Sequence, residues 1–344
     1  MMFRWTIAMA FVLGLLISAL SCLVWLLCRL VSRCFDAPAV PFAPFGWTAL
    51  CLVIALLAVM FYGYKWGRFR QQTTRTTYTS PALPSAFNGY KIVHISDLHL
   101  ATFADHPEVL QRMIDTINAQ SPDLICFTGD LVSLSVAEAE PFTSILRTMH
   151  AADGVMSVLG NHDLFIYSQR SDAEREAEIT RLEHFERDTL GWHLLRNQSR
   201  VITRNEQTIT ILGVDNSSCD GQGFRTVYRG NLPQALSHTE GFRILLSHDP
   251  TQWEAEIIEK TDIPLTLSGH THAGQVRLFG HPLSDIMFRE SAGWYHTPLQ
   301  TTANLPADTA VTQSIYVNQG VGCTVPIRIG CPAEITVITL SDHG

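Results

Sequence analysis

The sequence predicts an α/β domain carried behind two membrane-length apolar helices. Three observations lead there. Two stretches near the start, Trp5 to Cys28 and Ala37 to Tyr64, carry no charged residue. Beyond them, short β-branched runs alternate with amphipathic helical patterns, the sequence form of layered α/β structure. The polar motifs that interrupt these runs fall where strands end, the edge at which open α/β sheets bind ligands.

The first apolar helix is predicted over about 5–28 and the second over about 47–64, both within a segment 1–70. A hydrocarbon core of ~30 Å takes about 20 helical residues at 1.5 Å each, so each stretch spans it. Between them Pro38, Pro41 and Pro44 mark a tight connector from Ala37 to Pro44, as a helical hairpin requires. The first run is longer than the apolar part of a signal peptide and continues past Ser21-Cys22, which favours a retained anchor over a cleaved leader. Basic residues set the orientation. Arg4 precedes the first helix and Lys65, Arg68, Arg70 and Arg75 follow the second, whereas the connector side has Arg29 and Arg33 beside Asp36. That asymmetry predicts both termini and the large domain in the cytoplasm.

Charge divides along the same boundary. Residues 1–70 carry six basic residues and Asp36, a net of +5, so within a total of −8 the remainder carries −13. So acidic a domain lacks the basic footprint of a general nucleic-acid binder. All 14 histidines also lie in that remainder. Cys22, Cys28, Cys34 and Cys51 belong to the apolar segment, and Cys126, Cys219, Cys323 and Cys331 are scattered without paired spacing. This is the pattern of free thiols in a reducing compartment.

Residues 71–88, rich in Thr and Ser with Pro81 and Pro84, read as a linker, and 89–344 as the large domain. Ile92–Ile95 is its first strand. A helix from Pro107 puts Val109, Leu110, Met113, Ile114 and Ile117 on one face. Strands follow at Leu124–Phe127 and Val155–Val158, then a charged helix over about 172–188 with Ile179, Leu182 and Phe185 as its apolar stripe. Further strands are expected at Thr208–Val214, Ile244–Ser247, Leu265–Ser268, Ser314–Asn318 and Ile335–Leu340.

Five of these strands run into Asp97-Leu98-His99, Gly129-Asp130, Gly160-Asn161-His162-Asp163, Ser247-His248-Asp249 and Gly269-His270-Thr271-His272. Each motif alone is weak, because Gly-Asp and Gly-Asn are ordinary turn pairs and a single histidine is commonly buried in a core. Together they line up carboxylate, amide oxygen and imidazole donors, which borderline divalent metals accept. Gly129, Gly160 and Gly269 let the chain turn sharply at these junctions. His94, inside a strand, reads as a core residue. Asp249 reads equally as a support for the site or as part of the turn with Pro250. Asn318, Gly320, Gly322 and Arg328 form either a phosphate-contacting loop or a plain turn.

This series resembles the signature of the calcineurin-like metallophosphoesterases, with no ligand position substituted over roughly 90–340. The resemblance implies a four-layer αββα sandwich of two mixed sheets and a binuclear centre. It implies Asp97, His99 and His272 on one metal, Asn161, His248 and His270 on the second, and Asp130 bridging both. Two metals about 3.5–4 Å apart make hydroxide available near neutral pH from a bridging water and take up charge from the phosphoryl oxygens. By the same resemblance His162 contacts the phosphoryl or leaving-group oxygen, and Asp163 orients His162. Asp163 as a helix cap is the blander alternative. The ligand set admits Mn, Fe, Zn, Co or Ni.

Within the superfamily the chain is similar to a membrane-anchored bacterial branch, through Ile95–Leu100, Gly269–Gln275 and Pro332–Ile335. The implied location is the bacterial cytoplasmic membrane. The implied substrate is a phosphodiester, a phosphomonoester or a pyrophosphate. Some relatives cleave UDP-2,3-diacylglucosamine, an acylated pyrophosphate of lipid A synthesis, and such a substrate accounts for a membrane anchor. A membrane scaffold with a structural metal site is the rival outside catalysis, and the complete ligand series plus His162 count against it.

Overall fold

A computed structural model describes residues 2–218, 229–239, 241–297, 300–301 and 310–343. Cys219 and the two terminal residues lie outside the described residues. The chain forms two compact units. One comprises Met1–Arg68 with Thr324–Ile329, the other Phe69–Cys323 with Gly330–Gly344.

In the first unit, α1 (Met2–Cys34) and α2 (Ala43–Lys65) run longer than expected at both ends. Each is long and apolar enough to cross a membrane. They contact one another as a hairpin. Gly14 faces Val53, Ser21 Oγ donates to Phe45 O at 2.7 Å and Trp25 Nε1 donates to Val40 O at 3.1 Å, so the connector folds back on the end of α1. The returning segment Thr324–Ile329 joins this unit at Gly63, where a Cβ would lie 2.7 Å from Ile327.

The second unit holds two six-stranded mixed sheets. Its strands are β1 (Gln71–Thr79), β2 (Lys91–Ile95), β3 (Leu124–Phe127), β4 (Val155–Ser157), β5 (His193–Leu194), β6 (Gln198–Arg204), β7 (Gln207–Gly213), β8 (Phe242–Leu246), β9 (Leu265–Ser268), β10 (Arg277–Leu278), β11 (His281–Pro282), β12 (Gly293–His296), β13 (Gln300–Thr301), β14 (Ala310–Val311), β15 (Ser314–Val317) and β16 (Ala333–Ser341). The first sheet has the order β1-β16-β2-β3-β4-β5 and the second β12-β15-β9-β8-β7-β6, while β10-β11 and β13-β14 are two-stranded ribbons. The helices are α3 (Pro107–Ala119), α4 (Thr143–Leu146), α5 (Asp172–His184) and α6 (Leu232–Leu236).

Side-chain alternation assigns the layers. Ile92, Leu124, Cys126 and Ile338 of the first sheet pack with Ile209, Ile211, Ile244 and Leu267 of the second, forming the core between the sheets. Val93, Ile125, Phe127 and Val337 point the other way and meet Leu110, Met113 and Ile114 of α3 and Ile179 and Leu182 of α5. Leu212, Leu245 and Val317 meet Leu232, Trp253 and Ile257 on the far side of the second sheet. A period of two on strands buried on both faces leads directly to the αββα order.

One expectation is corrected. Residues 71–79, expected within a linker, form β1, which pairs in parallel with β16 from Gln71↔Ala333 to Thr79↔Ser341. Its Gln/Thr composition lacks an apolar alternation because it is an edge strand, stabilised chiefly by its ladder. The charged helix ends at His184 and continues as a π-helical stretch over Phe185–Leu190. Cys126, Cys323 and Cys331 are buried free thiols.

Candidate metal centre

The site forms where β2, β3 and β4 of one sheet and β8 and β9 of the other deliver their C-terminal ends. Neighbouring strands β2, β3 and β4 are parallel, as are β8 and β9, so their following loops open on the same edge. The turns are tight. Asp97, His99, Asp130, His270 and His272 all have positive φ, between 38° and 71°. Such geometry costs non-glycine residues about 1–3 kcal/mol each and collects at functional sites. Two glycines in these turns permit close approaches. A Cβ on Gly160 would lie 2.1 Å from Asp130 Oδ1, and one on Gly269 would lie 1.8 Å from Ser96 Oγ.

These turns bring all seven expected ligands together, in two groups. In the first, His272 Nε2 is 3.2 Å from Asp97 Oδ1 and 3.2 Å from His99 Nε2. In the second, Asn161 Oδ1 is 2.9 Å from His248 Nε2 and 3.0 Å from His270 Nδ1, and the two ring nitrogens are 3.2 Å apart. Asp130 Oδ2 reaches both groups, 3.5 Å from His99 Nε2 and 3.3 Å from His248 Nε2. Donors at about 2.1 Å from a common cation stand about 3.0–3.4 Å apart in octahedral or tetrahedral geometry, so these spacings fit a divalent ion.

The protonation pattern points the same way. His248 Nδ1 lies 2.6 Å from the carbonyl of Thr128, which can only accept, so the neutral ring turns its Nε2 lone pair toward Asn161 Oδ1. Two facing acceptors need a proton or a cation between them. Burial opposes charge on this ring, yet Asp130 outweighs burial and pushes its pKa up to about 10. Burial, with His162 beside it, instead holds His99 well below the usual histidine range. Burial works against ionised Asp97 and Asp130, but the surrounding imidazoles, His272 for Asp97 and His248 for Asp130, keep both carboxyls low. Asp97 Oδ1 is buried without a hydrogen-bond partner. An ionised, buried oxygen 3.2 Å from a histidine nitrogen yet without a well-aligned hydrogen bond has the chemistry of a cation ligand.

Supporting residues differ in part from expectation. His162 Nδ1 donates to Ser133 O at 3.0 Å, so that carbonyl, rather than Asp163, orients the ring and leaves Nε2 as its free lone pair. Asp163 neither caps a helix nor touches the His162 ring. Its carboxylate accepts from the backbone N–H groups of Asp130 at 2.6 Å, Gly160 at 3.0 Å and Val132 at 3.2 Å, clamping two ligand loops together. Burial, reinforced by Asp130, raises Asp163 to about 7. Asp249 does two jobs. Oδ1 accepts from Thr251 N at 3.0 Å within the turn, while Oδ2 lies 3.7 Å from His270 Nε2.

The loop after β15 is a buttress. Asn318 Nδ2 donates to His94 O at 3.2 Å and Thr336 Oγ1 at 3.0 Å, and Gly322 N donates to Asp97 O at 2.7 Å. Arg328 belongs to the helical unit. His94 is a core residue bonded to Thr128 Oγ1 at 2.9 Å. Tyr167 was not singled out from sequence. Its hydroxyl accepts from Asn161 Nδ2 at 2.8 Å and its ring lies 4.5 Å from that of His162. Its only sequence signal is its position six residues after Asn161.

The calcineurin-like phosphoesterase family matches residues 90–274, and the chain belongs to it. It is 31% identical to the uncharacterized metallophosphoesterase YkuE of Bacillus subtilis, over 81% of this chain and 90% of that protein. It is 30% identical to a transmembrane protein with metallophosphoesterase domain of Danio rerio, over 91% of this chain and 67% of that protein. It is 26% identical to the UDP-2,3-diacylglucosamine pyrophosphatase LpxG of Chlamydia trachomatis, over 78% of this chain and 88% of that protein. The protein is accordingly a metal-dependent phosphoric ester hydrolase with an Asp/His metal-binding cluster.

Proposed function

We propose that this chain is a binuclear phosphoesterase of the bacterial cytoplasmic membrane, acting on a phosphodiester, phosphomonoester or pyrophosphate, with its catalytic domain facing the cytoplasm. Asp97, His99 and His272 would hold one divalent ion, Asn161, His248 and His270 the other, and Asp130 would serve both. The observation that carries this reading is the position of Asp130 Oδ2, within 3.5 Å of His99 Nε2 and 3.3 Å of His248 Nε2.

Bound divalent ions supply Lewis-acid polarisation of the phosphoryl group and acidification of a water. The protein supplies the rest. The left-handed turns fix the donors before substrate arrives, so no reorganisation is needed during the reaction. His162, with Nδ1 tied to Ser133 O, presents Nε2 to accept a proton or, when charged, to donate one to the leaving oxygen. Asp163 holds the Asp130 and Asn161 loops in register and is a positioning residue.

A narrower reading is the pyrophosphate bond of a UDP-diacylglucosamine-like lipid. The Chlamydia relative's activity and the two apolar helices favour it.

Full-length protein with Mn²⁺ is expected to cleave bis-p-nitrophenyl phosphate or p-nitrophenyl phosphate, and Asp130→Asn to abolish this. Unchanged cleavage by that variant would sink the two-metal assignment. Release of UMP from the nucleotide lipid decides the narrower reading. A green fluorescent protein fused to the C-terminus is expected to fluoresce in cells, and a dark fusion that is exported would reverse the topology.

A further inference from the structure

The second unit exposes an apolar projection that its fold does not need. β10 and β11 form a two-residue hairpin whose turn is Phe279-Gly280, with φ of 52° and 88°. A turn with both central residues at positive φ favours Asn-Gly or Gly-Gly. A phenylalanine there is strained, and its side chain is 100% exposed, so it adds nothing to packing. Beside it, Ile286 is 81%, Met287 55%, Leu278 54% and Leu283 45% exposed. Single exposed apolar residues are ordinary, but five within ten residues of one another are a concentration of the kind that marks interaction surfaces.

This group is built onto the metal centre. A Cβ on Gly274, two residues past His272, would lie 2.7 Å from Ser284 N and 2.9 Å from Leu283 Cβ. Thr271 Oγ1 donates to Ser291 O at 2.5 Å, and the Phe288 ring lies 5.5 Å from that of His270. The projection is thus rigidly continuous with the loop that carries two of the seven expected ligands.

What covers it follows from the rest of the chain. Two helices long enough to cross a bilayer precede the unit, and the chain returns to the helical unit over Thr324–Ile329 before re-entering at Gly330. Gly330, the residue of re-entry, packs on the hairpin, since a Cβ there would lie 2.7 Å from Arg277 O. Arg277 and His281 flank the apolar residues; Arg289 is paired with Glu254, and Asp285 is engaged by Ser291 Oγ and lies 3.8 Å from His281 Nδ1. Aromatic and aliphatic tips with a cation such as Arg277 at their base are the composition of a segment that rests in the headgroup and acyl boundary of a leaflet.

We infer that Leu278, Phe279, Leu283, Ile286 and Met287 form an apolar lip that seats in the bilayer surface and delivers to the metal centre a phosphoester carried at headgroup level by a lipid. This rests on the membrane-bound hydrolase reading above and adds to it the surface through which a lipid-borne phosphoester reaches the metal centre.

The test uses the full chain in nanodiscs of phosphatidylcholine and phosphatidylglycerol containing doxyl-labelled lipid. A fluorescent amino acid is placed at 279, at 286 or, as control, at 201, a 54% exposed position on β6. Quenching at 279 and 286 is expected to exceed that at 201 severalfold, and equal quenching at all three overturns the lip. In parallel, the Phe279→Asp, Ile286→Asp double variant should cleave bis-p-nitrophenyl phosphate within twofold of the parent. It should cleave vesicle-borne p-nitrophenyl hexadecyl phosphate at least tenfold more slowly. Equal rates on both esters, or an equal loss on both, would overturn the substrate claim. If the parent cleaves neither ester, the hydrolase reading fails, while the quenching result still decides the lip.

Discussion

Asn161 Nδ2 donates to the Tyr167 hydroxyl at 2.8 Å, and this bond decides which end of the Asn161 amide meets His248 and His270. An amide is nearly symmetric in shape, so without such a partner its nitrogen could face the imidazoles instead. Tyr167→Phe is therefore expected to weaken metal binding about 10-fold, within the range seen when a partner behind a metal ligand is lost. The Mn²⁺ concentration for half-maximal hydrolysis should rise while the saturated rate changes little. An unchanged metal requirement would show that the bond is incidental.

His162 gives the opposite signature. It contacts the cluster, yet its Nδ1 is committed to Ser133 O, leaving Nε2 for proton transfer. His162→Ala should lower kcat by about 10²–10⁴, the usual contribution of a positioned acid or base. Metal content by mass spectrometry should remain that of the parent, and loss of metal would reassign His162 as a ligand.

Removing the metal should be felt throughout the second unit. Without a cation, His99 and His272 present ring nitrogens 3.2 Å apart, and Asp97 Oδ1 stays buried without a well-aligned hydrogen bond. Chelation should lower Tm by about 5–10 °C, corresponding to about 2.7 kcal/mol lost when the ion had been present at a hundred times its Kd. Calorimetry before and after Mn²⁺ is restored measures it, and a Tm indifferent to chelator contradicts the cluster as a metal site.

Glu186 supplies a pH prediction away from the ligands. It is fully buried behind the site, with Ser157 Oγ donating to Oε2 at 2.5 Å and Oε1 unpartnered. Burial, with Asp163 adding to it, raises its pKa from 4.5 to about 8. Between those values the folded state binds more protons than the unfolded one, so stability falls as pH rises from about 4.5 to about 8. Glu186→Gln cannot ionise and should flatten that decline in metal-free protein, leaving the share due to Asp163. Thermal melts from pH 5 to 8 that decline equally in both proteins would refute this.

The ligands were legible because each motif is contiguous and sits where an apolar run stops, so order along the chain carries the information. Burial on both faces made β2, β3, β8 and β9 legible in the same way. Two classes of feature were hidden. β1 reads as a linker because its Gln/Thr run acquires meaning only beside β16, and β5, two residues long, has no periodicity to detect. Tyr167 and Ser133 act through folded-back geometry, Tyr167 by its hydroxyl and Ser133 by a backbone carbonyl that every residue possesses. The sharp turns expected at the glycines include Gly129, at φ 92°, but left-handed backbone also falls on the ligands Asp97, His99, Asp130, His270 and His272 themselves.

The place of β16 between β1 and β2 has a consequence for how the chain is made. These two strands are the first of their unit to leave the ribosome, and the strand that joins them begins only at Ala333. At roughly 5–20 residues per second, they wait on the order of tens of seconds with bare edges. On the membrane-bound reading proposed above, α1 and α2 fasten the nascent chain to a membrane during that interval, which keeps its copies apart in two dimensions. The Thr-rich, Arg75-bearing face of β1 resists strand-to-strand capture meanwhile. Assembly order thus gives the polar edge strand a purpose in biosynthesis that the finished fold no longer displays.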